Sequence, residues 1–222
     1  WYYEIHGDNA EAEATIAYAV GELRAAGAPA ALTTDEQKGT FALLVDQLGW
    51  FEYRTGKIER AEALFTEGLA IAQQMTEPDP EVLYYINVNW GYMTLITGDL
   101  ERSERMTQAS LENARLMSGQ WHAAIAINIL GIIEYQRGHL LTAFQQLKNS
   151  LKLWREVGDF RGLVFCMVYL SAAALALEDY DTVDEILRES NSIAQQKNDR
   201  WAHAFGLDLL GNVALARGQI QS

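Results

Sequence analysis

A single cysteine, Cys166, among 222 residues leaves the chain without an internal disulfide or a thiolate metal cluster. That usage fits a reducing compartment, and the expected location is cytoplasmic. Basic charge is also scarce: 17 Lys and Arg stand against 30 Asp and Glu, a formal net charge of −13. Nucleic acids and anionic membranes both reward a basic face, so neither is expected to contact this chain directly. Long hydrophobic runs are missing as well. The longest uncharged stretch runs from Gly162 to Leu177, between Arg161 and Glu178. It falls short of the roughly 20 residues a membrane span needs and reads as a buried helix. With only three prolines, long stretches are free to be helical.

Catalytic signatures are lacking too. Of the four histidines His6, His122, His139 and His203, none sits at zinc-like spacing from another His, a Cys or paired carboxylates. No string of the Gly-x-x-x-x-Gly-Lys-Ser/Thr, Gly-x-Ser-x-Gly or Gly-x-Gly-x-x-Gly kind occurs. Acidic clusters such as Glu59-Arg60-Ala61-Glu62 read as the solvated faces of amphipathic helices. Cys166, inside the uncharged run, reads as a small buried hydrophobe. The expectation is a protein that is not an enzyme and holds no metal or cofactor.

What is present is a glycine lattice. Gly49/Gly56, Gly91/Gly98, Gly131/Gly138 and Gly211/Gly218 each lie seven apart, and Ser171/Glu178 form a degenerate copy. The first members, at positions 49, 91, 131, 171 and 211, recur at a nearly constant interval, and Gly7 fits the second place of an earlier copy. Nine of these eleven places hold Gly, where random placement of 17 glycines would fill fewer than one. Small residues keep the same phase: Ala12, Ala61, Ser103, Ala143 and Val183, then Ala19, Gly68, Ser110, Ser150 and Ser190. Small side chains recur where two helices must approach closely. Apolar residues fall three and four apart, as in Ala61-Leu64-Phe65-Leu69, so each half of the repeat reads as an amphipathic helix. Thr33 with Glu36 suggests a capping box, Asp79-Pro80 an N-cap followed by Pro, and Asp8, Asp99, Asp159 and Asp199 further caps. The second Gly of each pair suits a left-handed helix end.

Leu48-Gly49, Gly56, Ala61, Phe65 and Gly68-Leu69, and again Leu130-Gly131, Gly138, Ala143, Leu147 and Ser150-Leu151, resemble the tetratricopeptide repeat in order and spacing. The family's aromatic three places after the first Gly is replaced by Glu52, Thr94, Glu134, Ala174 and Ala214, and the 40–42-residue period is long for it. In that respect the chain is similar to the sensor arms of maltose-regulator-like signal-transduction ATPases and transcription activators. The resemblance implies an all-α, right-handed α-α superhelix of about five repeats with partial repeats at both ends, forming one solenoid domain over 1–222. Residues 1–32 would be a partial repeat and linker, 33–78, 79–118, 119–158 and 159–198 full helix pairs, and 199–222 the first helix of a truncated last repeat. On that reading the chain is part of a longer protein. Leu207, Leu210 and Leu215 would then be exposed or covered by another molecule, which offers a route to self-association.

The resemblance also implies a concave groove lined by the first helix of each pair. Its inward places fall on Leu43, Asp46, Trp50, Tyr53 and Arg54, then on Tyr85, Val88, Asn89, Tyr92 and Leu95, then on Ile125, Asn128, Ile132, Tyr135 and Gln136. Later copies give Phe165, Val168, Tyr169 and Ala172, and Phe205, Asp208, Asn212 and Leu215. Trp50, Arg54, Asn89, Tyr92, Asn128 and Tyr135 are the candidate partner-binding residues, because amides can pair with a backbone and rings supply contact area at small entropic cost. Packing between repeats is the competing role, above all for Tyr53, Leu95, Tyr135, Val168 and Leu175. The expected function is a noncatalytic module that receives a peptide or protein segment within a larger bacterial-type regulator. A constitutive assembly scaffold is the alternative.

Overall fold

The computed structural model describes residues 9–197, together with residues 204, 207, 210, 211 and 213–215. Gly7, Asp8, Asp199, Phe205, Asp208, Asn212 and Gly218, to which the sequence assigned turns, caps or groove positions, lie outside the described residues. The described secondary structure is all helix: α1 (Asn9–Ala25), α2 (Asp35–Arg54), α3 (Ile58–Ala72), α4 (Pro80–Thr97), α5 (Leu100–Leu116), α6 (Gln120–Gln136), α7 (Leu140–Val157), α8 (Phe160–Ala176) and α9 (Tyr180–Lys197). They fall into two compact units, residues 1–118 and 119–222. In the first, α2 packs on α3 and α4 on α5, with α1 against α2 and with α2 and α3 both meeting α4. In the second, α6 packs on α7 and α8 on α9, with α6 and α7 both meeting α8. Each unit is therefore an all-α repeat of consecutive helix pairs.

Local signals explain where the helices begin and end. Asp79, Asp99 and Asp159 accept backbone N–H bonds at the starts of α4, α5 and α8. The capping box lies one residue further on than Thr33/Glu36. Thr34 has the extended backbone of an N-cap, its hydroxyl accepts from Gln37 N at 3.2 Å, and Gln37 Oε1 accepts from Thr34 N at 3.3 Å. Glu36 stays exposed. The turns between paired helices use left-handed residues, with φ of 86° at Gly56, 89° at Gly98 and 78° at Gly138. At the degenerate place the turn persists without glycine: Glu178 has φ 60°. An L side chain there costs about 1 kcal/mol, so Glu178→Gly is expected to stabilise the chain by about 0.5–1 kcal/mol. Thermal unfolding followed by circular dichroism checks this, and an unchanged or lower midpoint would refute it.

The lattice marks helix crossings. A Cβ placed on Gly131 would sit 2.7 Å from Leu147 Cγ, one on Gly91 2.7 Å from Thr107 Oγ1, and one on Gly49 3.1 Å from Phe65 Cε1. In these three pairs the first glycine receives the side chain 16 positions later, so Phe65, Thr107 or Leu147 of the second helix fills the notch in the first. Around these notches Ala61, Ala143, Ser103, Ser110 and Ser150 are fully buried. The serines keep their hydroxyls satisfied, since Ser103 Oγ donates to Gly91 O at 2.8 Å and Ser150 Oγ to Ala124 O at 2.9 Å. Full burial of Phe65 and Leu147 supplies about 1.5–3 kcal/mol each.

Two of the residues three places after a first lattice glycine make ion pairs at the turns. Glu52, fully buried, pairs with Arg60 at 2.7 Å and Lys57 at 3.6 Å. Lys57 also binds Glu13, whose carboxyl it holds below the usual range with help from the Thr55 hydroxyl, so α1 is tied to the α2–α3 turn. Glu134 pairs with Arg137 at 3.1 Å, and its other oxygen lies in hydrogen-bond contact with His139 Nδ1 at 2.9 Å. The uncharged run becomes α8, and no described helix is long and apolar enough to cross a membrane. Cys166 is fully buried there, its thiol pushed up to about 12 by desolvation. Leu207, Leu210 and Leu215 are 58%, 45% and 63% exposed.

Candidate functional site

The side-by-side packing of α2 and α4 makes a continuous face within residues 35–97. Helical spacing places Glu36, Thr40, Leu43, Asp46, Trp50 and Arg54 along one stripe of α2. Tyr85, Asn89 and Tyr92 form the corresponding stripe of α4. The face has three zones.

At its far end sits an aromatic cluster. The Trp50 ring lies 5.5 Å from Tyr53 and 5.8 Å from Tyr92, and Tyr53 meets Tyr92 edge-on at 6.5 Å. Those separations are ordinary for tilted and edge-to-face pairs, so the three rings pack as one cluster. Arg54 is exposed and places its guanidinium 5.8 Å from the centre of Trp50, within cation–π range. Trp50, Tyr53 and Tyr92 are each only half-buried and so combine packing with an accessible flank.

In the middle, Asp46 is buried and its Oδ2 accepts from Asn89 Nδ2 at 2.9 Å. Its Oδ1 is buried with no hydrogen-bond partner. Desolvation outweighs the single donated bond and raises the carboxyl to about 7. The Asn89 amide nitrogen is thus turned inward to Asp46 Oδ2, which leaves the amide oxygen as the group Asn89 offers a ligand. Tyr85 on α4 is raised by burial first, then by the nearby charges of Glu81 and Asp46.

At the near end, the start of α2 and the segment joining α3 to α4 border an open surface recess of about 500 Å³. Asp35, Glu36, Glu77 and Asp79 stand around it, and Leu43, Met75, Pro78, Pro80 and Val82 supply apolar walls. Asp35 accepts from the N–H groups of Thr76 and Glu77, which holds its carboxyl below the usual range and fixes the segment in place. Sequence reasoning did not find this recess. Its walls come from two separate stretches, 35–43 and 75–82, and its only local sign was the acidic, proline-bearing run Glu77-Pro78-Asp79-Pro80.

The six candidate residues thus separate. Trp50, Arg54, Asn89 and Tyr92 come together on the face of the first unit. Asn128 and Tyr135 lie on α6 in the second unit. Tyr135 is half-buried, whereas Asn128 is only 1% exposed, and neither of its amide atoms has a hydrogen-bond partner. Asn128 holds the same phase as Asp46, three residues before the first lattice glycine, so in both units this place carries a buried polar group with unmet hydrogen bonding. Val88, Leu95 and Ile132, which the resemblance also set on the inner face, are buried. No group of three or more potential metal ligands occurs among the described residues.

No family model matches the chain, and no curated protein sequence matches it. Among solved structures, the chain is similar to the crystal structure of BtubC (BKLC) from P. vanneervenii, with a TM-score of 0.73 and 18% sequence identity. The likeness covers 95% of this chain and 84% of that one and shows a shared fold.

Proposed function

We propose that this chain is a noncatalytic interaction module of the tetratricopeptide kind, and that the α2–α4 face of its first unit takes an extended peptide or protein segment. The observation that carries the reading is the assembly of Trp50, Tyr92, Asn89 and Arg54 on two adjacent first helices, with half-buried rings beside an oriented amide. The glycine notches support the tetratricopeptide assignment, because the close crossings fall where that pattern places them. A sensing role within a larger cytoplasmic regulator of transcription or signalling extends the same reading. It rests on the long repeat period.

Selection of a displayed random-peptide library on the purified chain tests the module. Enriched peptides are expected to lose tenfold or more in affinity with Trp50→Ala or Tyr92→Ala, about 1.4 kcal/mol or more. Leu141→Ala, at an exposed position in the second unit, should leave them unaffected. Selected peptides that bind wild type and Trp50→Ala equally well would defeat the assignment of the face.

A further inference from the structure

The chemistry of the three zones narrows the occupant, granted the peptide-binding face proposed above. We propose that the first unit recognises a segment carrying a lysine or arginine in the acidic recess and an aromatic or large aliphatic side chain about five residues away, against Trp50 and Tyr92.

Charge sets the first half of this. Asp35, Glu36, Glu77 and Asp79 border the recess, and no basic residue lines it. Lys38, the neighbouring cation, extends to Gln74 O at 2.9 Å. The N-termini of α2 and α4 contribute about half a positive charge each. Four carboxylates against these two half charges and one lysine leave the zone negative by about two. Asp35 and Asp79 are engaged with backbone N–H groups. Glu36 and Glu77 are exposed and make no ion pair with any described residue, so their charge is open to a ligand. The apolar walls Leu43, Met75 and Val82 suit the methylene stem of a lysine or arginine whose cationic head stays at the carboxylate rim. A carboxylate or phosphate would meet repulsion at the same place.

Helical rise sets the spacing. From Thr40 at the recess to Trp50 is ten residues, about 15 Å at 1.5 Å per residue. An extended chain covers that in about five residues at 3.3 Å each. Along the way it passes Asn89, whose amide oxygen can accept one of its backbone N–H groups. The aromatic flank then offers contact area and Arg54 a cation, which favours an apolar or aromatic residue there over a second basic one.

The test uses the whole chain, isotope-labelled, titrated in an NMR spectrometer with two acetylated and amidated hexapeptides. One has Lys first, Phe last and Gly-Ser repeats between, and the other replaces Lys by Glu. The Lys peptide is expected to bind at least fivefold tighter, with shifts at Glu36, Glu77, Trp50 and Tyr92, and a Glu36→Lys/Glu77→Lys double variant should invert the preference. Circular dichroism confirms the fold of the variant. Equal binding of the two peptides, a preference that survives the charge reversal, or no binding of either overturns the proposal. If it fails while display-selected peptides still depend on Trp50, the peptide-binding face stands and only the partner chemistry is wrong.

Discussion

Valine in place of Gly131 is expected to destabilise the second unit by about 3 kcal/mol, near the upper end of overpacking costs. Even the first added carbon would stand 2.7 Å from Leu147 Cγ, 3.0 Å from Cδ2 and 3.3 Å from the Leu147 backbone nitrogen. Leu147 is fully buried, so its side chain has no solvent to rotate into, and the backbone atom cannot move unless α6 and α7 separate. Separation would expose Leu147, Leu151 and Ile132, each buried in the native unit. The effect is specific to the notch, so it should couple to its filler. Leu147→Ala alone should cost about 2–5 kcal/mol through the cavity it leaves. In that background Gly131→Val should cost much less than in wild type, because the valine occupies the vacated space. Urea unfolding of the four proteins of the cycle measures the coupling, expected at about 1 kcal/mol or more. Additive losses would mean that the crossing is not where the glycine matters.

Asp46→Asn is expected to stabilise the chain at pH 8 by about 2 kcal/mol. Near pH 4 the same substitution should change stability little. With its folded value at about 7 against a reference of 3.8, Asp46 keeps a proton in the folded state that the unfolded chain has already released across that window. Folded protein therefore binds more protons than unfolded, and this group's contribution to stability falls as pH rises from about 4 to about 7, then stays level. Linkage over the full shift would give about 4 kcal/mol, and relaxation around an ionised Asp46 reduces the realised effect. The asparagine removes the ionisable group and keeps a partner for Asn89. Glu13, Asp35 and Asp179 are shifted downward, so their contributions run the other way and are lost in acid. The informative quantity is the difference in stability between variant and wild type at each pH, from denaturant melts between pH 4 and 8. A difference that stays flat with pH would show that Asp46 titrates normally. Carbon-13 shifts of the Asp46 carboxyl give the same midpoint directly.

Much of the architecture was legible because its determinants are local and repeated. A helix end needs one left-handed residue and a crossing needs one missing side chain, so both are written as single glycines at fixed phase. Gly56, Gly98 and Gly138 at the turns, and Gly49, Gly91 and Gly131 at the crossings, could be assigned without coordinates. The cap of α2 was misplaced by one residue because Thr33 and Thr34 both head plausible boxes, and only backbone geometry separates them. Glu52 could be seen to replace an aromatic. That it lies fully buried between Arg60 and Lys57, with Glu13 of another helix on the same lysine, depends on how α1 meets the α2–α3 turn. The candidate site was read in part. Trp50 and Tyr92 were placed on one face by the tetratricopeptide resemblance, but a resemblance could not say that Asn128 is buried or that Asp46 keeps an unpartnered oxygen.

Helix, turn and notch are properties of short segments, and for these the order of side chains suffices, because backbone conformation and steric fit act over one or two helical turns. Burial of a carboxyl, the pairing of Asp46 with Asn89 across 43 positions, and a recess walled by residues 35–43 and 75–82 belong to the packed molecule. They depend on which surfaces exclude water, and desolvation is set by every neighbouring helix at once.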